Sequence, residues 1–272
     1  MEVAEFNPQL LQIDIPTQPD ALVKLARLLG KNDVNLSQLA DLIENDMALA
    51  SAMMKAVNLP LYGIKGRAQT VHQAVSYLGI REVSALAYEI GLRSVFPEAK
   101  GISQLWERAS IRGLLMGRLA QALSMDAWSA HTAGLFEECG KAVLFRQNCK
   151  QYQSILSMAK NDLELVVLEQ KTFKISHDAL GAKLCENWGL SGATVASVAH
   201  HVQVAYSHEL PRVLGRSVCV LSALANTIMT EPDRLEEVAM ALAPQAMLDQ
   251  TLLIKGALRV KEKIDNALED DD

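Results

Sequence analysis

An all-α fold is what this sequence predicts. Half of its residues are hydrophobic, yet only 5% are aromatic. Leu and Ala supply much of the apolar content, and both favour helices. Apolar residues also recur at three- and four-residue spacing along most of the chain, as helices with one buried face require.

The first 18 residues read as an N-terminal extension, extended or loosely helical. It closes on Ile15-Pro16-Thr17-Gln18-Pro19, whose two prolines block a continuous helix. Asp20 can cap a first helix, with Leu22, Leu25, Ala26 and Leu29 on one face and Gly30 at its end. A second short helix carries Leu36, Leu39, Ala40, Leu42 and Ile43 behind an Asn35 cap. Asp46 caps a third through Leu49, Ala50, Met53, Met54 and Val57. Pro60, Gly63 and Gly66 make a loop. Thr70 caps the next helix, Gly79 interrupts it, and a long helix from Ile80 runs to about Val95, before Pro97. Residues 19–97 therefore form an N-terminal helical lobe.

A second lobe, 103–230, opens at Ser103 with Leu105, Trp106, Ala109, Leu115 and Leu119 on its first helix. One helix covers about 129–146 and two more cover 150–172. Ser176 caps a helix through Leu180, Leu184 and Trp188. Gly189-Leu190-Ser191 turns the chain into a helix that reaches about Tyr206. A long apolar helix begins at Pro211 and passes Leu214, Val218, Leu221, Leu224 and Ile228. Two helices, about 233–242 and 244–266, form a C-terminal segment, 231–268. The tail Glu269-Asp270-Asp271-Asp272 is acidic and solvent-facing.

Charge and composition exclude several function classes. The net charge is −6 and no long Lys/Arg run occurs, which disfavours nucleic-acid binding. No apolar run reaches the length of a membrane span, and the acidic start is not a signal peptide. Cys139, Cys149, Cys185 and Cys219 form no Cys-x-x-Cys pair and read as reduced core thiols of a cytoplasmic protein. Gly63-Ile-Lys-Gly66 lacks the strand of a phosphate loop, so Lys65 and Arg67 read as part of a solvated loop, with contact to an anion as the alternative. The methionines read as core fillers, with a few exposed ones able to form an adaptable partner surface.

One segment carries a more specific signal. Gly134-Leu-Phe-Glu-Glu-Cys-Gly-Lys141 resembles the Gly-Leu-Leu-His-Asp-Ile-Gly-Lys stretch of the HD metal-dependent phosphohydrolases. An ordered series surrounds it: Ile15-Pro16-Thr17-x-Pro19, Leu39-Ala40-x-Leu42-Ile43-x-x-Asp46, Leu61-Tyr62-Gly63, and Val71-x-x-Ala74-Val75-x-x-Leu78-Gly79. Leu105-Trp106, His177-x-x-Leu180-Gly181, Trp188-Gly189-Leu190 and His200-His201 follow. Together they resemble the HDOD domain, a bacterial relative of the HD phosphohydrolases, over roughly residues 15–230. That resemblance implies an all-helical protein linked to bacterial signalling, with an incomplete metal set.

In HD enzymes an ordered His, His-Asp and Asp set holds the metal. Here the first His aligns with Arg108, give or take one position. The His-Asp pair reads Glu137-Glu138 and the last Asp aligns with Asn226. Arginine offers no lone pair, and an Asn carbonyl is a poor ligand for a transition metal. His177 and one of His200 or His201 remain as relics. A catalytic metal needs a fixed ligand set with one open position. Glu137 and Glu138 point about 100° apart on a helix, so both reach one ion only at a helix end. A weak hard-cation site at this pair stays open as an alternative. Arg108 is instead expected to pair with Glu137 or Glu138, in a geometry that could be bidentate and would offset their buried charge. The bland alternative leaves Arg108 and both glutamates solvated. His177 is expected to be partly exposed and bonded to a loop. Of His200 and His201, one is expected to face inward.

The expected function is a non-catalytic signal-transduction module acting through protein–protein contacts, with a metal-free relic of the HD site and no cofactor. Its partners would be signalling proteins, with a small molecule possible in the relic cleft. Since the sequence contains no receiver, kinase or cyclase domain, its input is expected from a separate partner or ligand. The alternative is a divergent metal-dependent phosphohydrolase acting on nucleotides or cyclic dinucleotides.

Overall fold

A computed structural model describes residues 13–269 except 30, 32, 59–67, 97–100 and 214. Every regular element among the described residues is helical. The expectations placed on the first 12 residues, Gly30, the Pro60–Arg67 loop, Pro97, Leu214 and the final three residues lie outside this description.

Local capping sets the early helices. α1 (Asp20–Leu29) buries Leu22, Leu25 and Leu28. α2 (Leu36–Glu44) starts in a capping box, in which Asn35 and Gln38 each take the other's backbone N–H. α3 (Met47–Val57) is capped by Asp46, and α4 (Val71–Arg93) by Thr70. Gly79 sits inside α4 at φ 84° and ψ 170°, splitting it into two halves. Such a φ suits glycine and strains other residues.

The helices that build the site follow. α5 (Ser103–Ala122) packs closely on α6 (Ala127–Glu137). At Gly134 a Cβ would lie 2.7 Å from the Gly113 Cα, so only a hydrogen allows this approach. The expected single helix over 129–146 is in fact two, because the chain breaks at Glu138 and resumes as α7 (Cys139–Gln147). α8 (Cys149–Met158) and α9 (Asp162–Phe173) match the expected pair. α10 (His177–Asn187) and α11 (Gly192–Ser207) follow, the latter capped by Ser191.

Two boundaries differ in the last third. The helix expected from Pro211 starts at Arg216 as α12 (Arg216–Thr230), after Gly215 in a left-handed conformation. α13 (Leu235–Leu242) follows a single 3₁₀ turn. The helix expected from 244 begins later, as α14 (Gln250–Glu269), after a 3₁₀ turn at Pro244–Ala246. In both cases a proline sits ahead of the α-helix and the helical pattern was read back onto it.

Two apolar cores result. The larger runs from α1 through α11 and includes Leu22, Ile43, Val75, Tyr88, Phe136, Leu144 and Leu184. The smaller joins α5, α6 and α12 to α14 through Leu115, Leu119, Leu221, Leu224, Leu242 and Leu253. Aromatic rings stitch the larger core together. Phe136 packs edge-on to Trp188 at 5.5 Å and lies 6.1 Å from Tyr88. Trp188 Nε1 donates to the Pro16 carbonyl at 2.8 Å, so the non-helical stretch at 13–19 is pinned onto α10. Cys139, Cys185 and Cys219 are core thiols as expected, but Cys149 opens α8 and is exposed. Met158, Met240 and Met247 are also exposed. No described helix is long and apolar enough to cross a membrane.

Candidate functional site

The break at Glu138 is the origin of the site. On one continuous helix Glu137 and Glu138 would diverge. At the junction of α6 and α7 both become fully buried, and neither is solvated. Gly140 makes the junction possible. A Cβ there would sit 1.9 Å from the His177 carbonyl oxygen, so the start of α10 presses directly on the first turn of α7.

Buried carboxylates need partners, since an uncompensated charge is costly away from water. Each glutamate has cations beside it. Arg112 on α5 is 1% exposed, and its Nη1 donates to Glu137 Oε2 at 2.8 Å. Ser197 on α11 donates to the other Glu137 oxygen at 2.8 Å. Arg112 Nη2 also donates to Asn226 Oδ1 on α12 at 3.1 Å. Glu138 accepts from Arg108 Nε and from Lys141 Nζ, each at 2.8 Å, and Arg112 Nε lies 3.5 Å away. Asp162, at the start of α9, completes the cluster. It accepts from Arg108 Nη2 at 2.7 Å and from Lys141 Nζ at 2.8 Å.

Arg108 therefore does pair with Glu138, but not bidentately, because its two nitrogens reach two different acids. The residue that takes Glu137 and Asn226 is Arg112, one turn further along α5. The sequence reading passed over it, and passed over Lys141 and Asp162 as partners. The spacing of Arg108 and Arg112, four apart on one helix face, was the available signal.

Three carboxylates and three cations balance one another. Burial alone would raise the Glu138 carboxyl, but Lys141, Arg108 and Arg112 outweigh it and hold it well below the usual carboxylate range. Asp162 behaves likewise, with burial opposed by Lys141 and Arg108. Arg108 is pushed up chiefly by Glu138. Burial pulls Lys141 down, yet Glu138 and Asp162 carry it above its ordinary value.

A second buried group adjoins this one. His177 is fully buried, not partly exposed as expected, and its backbone N–H and Nδ1 both meet Glu169 Oε2 at 2.7 Å. Glu169 on α9 thus caps α10 in place of Ser176, whose hydroxyl turns to Asp178. Tyr152 donates to the remaining Glu169 oxygen at 2.5 Å. His201 packs its ring 5.2 Å from that of His177, edge to face. Its Nδ1 meets the Val198 carbonyl at 2.8 Å, and burial drives its pKa down to about 4. The Nε2 atoms of both histidines are buried without a partner. His200 is half-buried and takes no part in these bonds. Of the two neighbours, His201 is the inward one.

The metal that an HD-like site implies can be tested against these residues. A divalent ion among the glutamates would add charge to a cluster already neutral, and would meet two guanidinium groups and an ammonium. Asn226 is engaged by Arg112. The lone-pair donors here that have no partner are two imidazole nitrogens, His177 Nε2 and His201 Nε2, fewer than a fixed metal site requires. The residues present do not fit the metal. Among the described residues, the one grouping of three His, Cys, Asp or Glu ligand atoms is Asp41, Glu44 and His72, exposed on α2 and α4 and away from this site.

The HDOD domain family matches residues 15–204 of this chain. The chain belongs to the HDOD family. An HDOD domain protein of unknown function from Geobacter sulfurreducens shares the fold at a TM-score of 0.72 over 93% of both chains, with 17% identity. A candidate signal transduction protein from Marinobacter aquaeolei VT8 aligns at a TM-score of 0.74 and 21% identity, over 94% of this chain and 59% of that one. A candidate phosphohydrolase from Shewanella amazonensis SB2B aligns at 0.66 and 15% identity, over 93% and 94% of the two chains. At these identities the likeness is one of HDOD fold. An uncharacterised protein from Treponema pallidum (strain Nichols) is 28% identical over 224 residues, and this HDOD chain spans 42% of its length.

Proposed function

We propose that this HDOD protein is a non-catalytic regulatory module of bacterial signal transduction, cytoplasmic and acting through contacts with signalling proteins. One observation carries the reading. Arg108, Arg112 and Lys141 neutralise Glu137, Glu138 and Asp162, and the glutamate pair is the one that the resemblance aligns with the His-Asp of HD enzymes. A cluster joining α5, α6, α7 and α9 by six charge contacts supports the fold and is balanced in charge. The relationship to a signal transduction protein of the same fold agrees with this class. Exposed Met158, Leu163, Val167 and Tyr206, on α8, α9 and α11, offer apolar area for a partner.

The test is metal content and hydrolysis. Purified protein is expected to carry no stoichiometric Mn, Fe, Ni or Zn by elemental analysis, and to leave bis(p-nitrophenyl) phosphate and cyclic dinucleotides uncleaved with added Mn²⁺ or Mg²⁺. Bound metal with turnover that is lost in His177→Ala would sink the proposal.

A second reading, a divergent metal-dependent phosphohydrolase, has its own observation. His177 is oriented by a carboxylate through Nδ1 and keeps Nε2 free, which is how metal-ligating histidines are held. Only His201 Nε2 stands beside it as a further free donor. The metal analysis above separates the two readings.

A further inference from the structure

Asp41, Glu44 and His72 meet on the surface where α2 packs on α4. One carboxylate oxygen from each acid and one imidazole nitrogen all lie within 4.8 Å of one another. His72 Nε2 is 3.5 Å from Asp41 and 3.8 Å from Glu44. The sequence sets this convergence. Asp41 and Glu44 are three residues apart and share one face of α2, while Leu39, Ala40 and Ile43 are buried. His72 stays exposed in the first turn of α4, while its neighbours Val71, Ala74 and Val75 are buried.

An ordinary surface ion pair does not account for the arrangement. A single imidazole nitrogen donates one hydrogen bond, so His72 Nε2 cannot satisfy two carboxylates at once. Among the described residues neither acid has a Lys or Arg partner. Two carboxylates and a nitrogen directed at one point form a ligand set for a divalent cation. The nitrogen selects the ion, since Mg²⁺ and Ca²⁺ take oxygen ligands whereas imidazole suits Zn²⁺. Bonds of about 2.0–2.2 Å to a tetrahedral zinc place its ligand atoms about 3.3–3.6 Å apart. The contacts of 3.5 and 3.8 Å already approach that spacing. The backbone beneath is held by the Asn35–Gln38 capping box on α2 and the Thr70 cap on α4, so only small side-chain rotations remain.

We propose that Asp41, Glu44 and His72 bind a zinc ion, through one oxygen of each acid and the imidazole nitrogen, with water in the remaining position. The ion ties α2 to the half of α4 that precedes the Gly79 break. Three ligands on an exposed surface hold an exchangeable ion, which a chelator and gel filtration remove. The site shares no residue with the buried charge cluster or with His177 and His201, and it does not rest on the function proposed above.

The test is calorimetric titration of the untagged, chelator-treated full chain with Zn²⁺, and separately with Mg²⁺. Zinc is expected to bind one equivalent with a Kd of about 100 µM or tighter, and Mg²⁺ at least about tenfold more weakly. His72→Gln, and the double variant Asp41→Asn/Glu44→Gln, change only exposed side chains. Without zinc their circular dichroism and melting should match the parent, while zinc affinity falls at least about tenfold. Cys149→Ser, which removes the one exposed thiol, should bind zinc as the parent does. Absence of zinc binding at about 1 mM would overturn the proposal. So would unchanged affinity in either folded variant, loss of binding in Cys149→Ser, or Mg²⁺ binding as tightly as zinc.

Discussion

Arg112 and Glu137 form a salt bridge of 2.8 Å in which neither side chain is more than 1% exposed. Removing either partner leaves the other group buried without its counter-charge. Arg112→Leu is expected to cost about 3–5 kcal/mol in urea unfolding. The double variant Arg112→Met/Glu137→Gln should recover a large part of that loss, because no buried charge remains unpaired. Arg108→Ala should cost less than Arg112→Leu, since Arg108 is one-third exposed and Lys141 stays on Glu138.

Gly140 tests the junction between α6 and α7. A methyl group 1.9 Å from the His177 carbonyl cannot be accommodated without moving backbone against backbone. Gly140→Ala is expected to destabilise by more than about 4 kcal/mol, an exceptional cost for one methyl group. Gly192→Ala is the control: its Cβ meets nothing within 4 Å, and its melting temperature should stay close to that of the parent.

Acid should weaken the fold in two stages. His201 and His131 both have folded pKa values lowered to about 4 by burial, below the ordinary 6.5. The unfolded chain therefore binds protons first, and stability falls as pH drops from about 6.5 towards 4, by on the order of 3 kcal/mol for each histidine. Glu138 and Asp162 have folded values below their ordinary ones. Their contribution is complete above the ordinary carboxylate range and is lost as pH falls further through the folded values. Urea midpoints between pH 7 and 3 should decline throughout. A flat profile from pH 7 to 4.5 would rule out the buried neutral histidines.

Thiol chemistry should distinguish one cysteine from three. Cys149 is exposed, whereas burial raises the pKa of Cys139 and Cys185 and takes that of Cys219 to about 12. A thiolate is the reactive form. Native protein should react rapidly with one equivalent of a thiol reagent and expose the other three only in denaturant. Cys149→Ser should abolish the rapid phase.

Much of this molecule was legible because its signals are local. Asn35, Asp46 and Thr70 each cap the helix that follows, and a cap acts within one turn. Helical periodicity depends only on neighbours three and four apart, so the all-α class and the order of helices could be read directly. The helix starts at Arg216 and Gln250 were misplaced because the apolar pattern of each helix continues back past its proline.

The chain by itself determined only an expectation, carried by resemblance, that Arg108, Glu137, Glu138 and Asn226 stand at or near the positions of the HD ligands His, His, Asp and Asp. The tertiary structure decided what these residues meet. Arg112 meets Asn226 across 114 residues of sequence, and Arg108 meets Asp162 across 54. Glu169 is separated from His177 by one turn of chain and a helix start. Such pairings follow from how helices pack, and packing is set by the whole core at once. The helical pattern identifies the face on which Arg112 lies, but does not identify the carboxylate that face will meet.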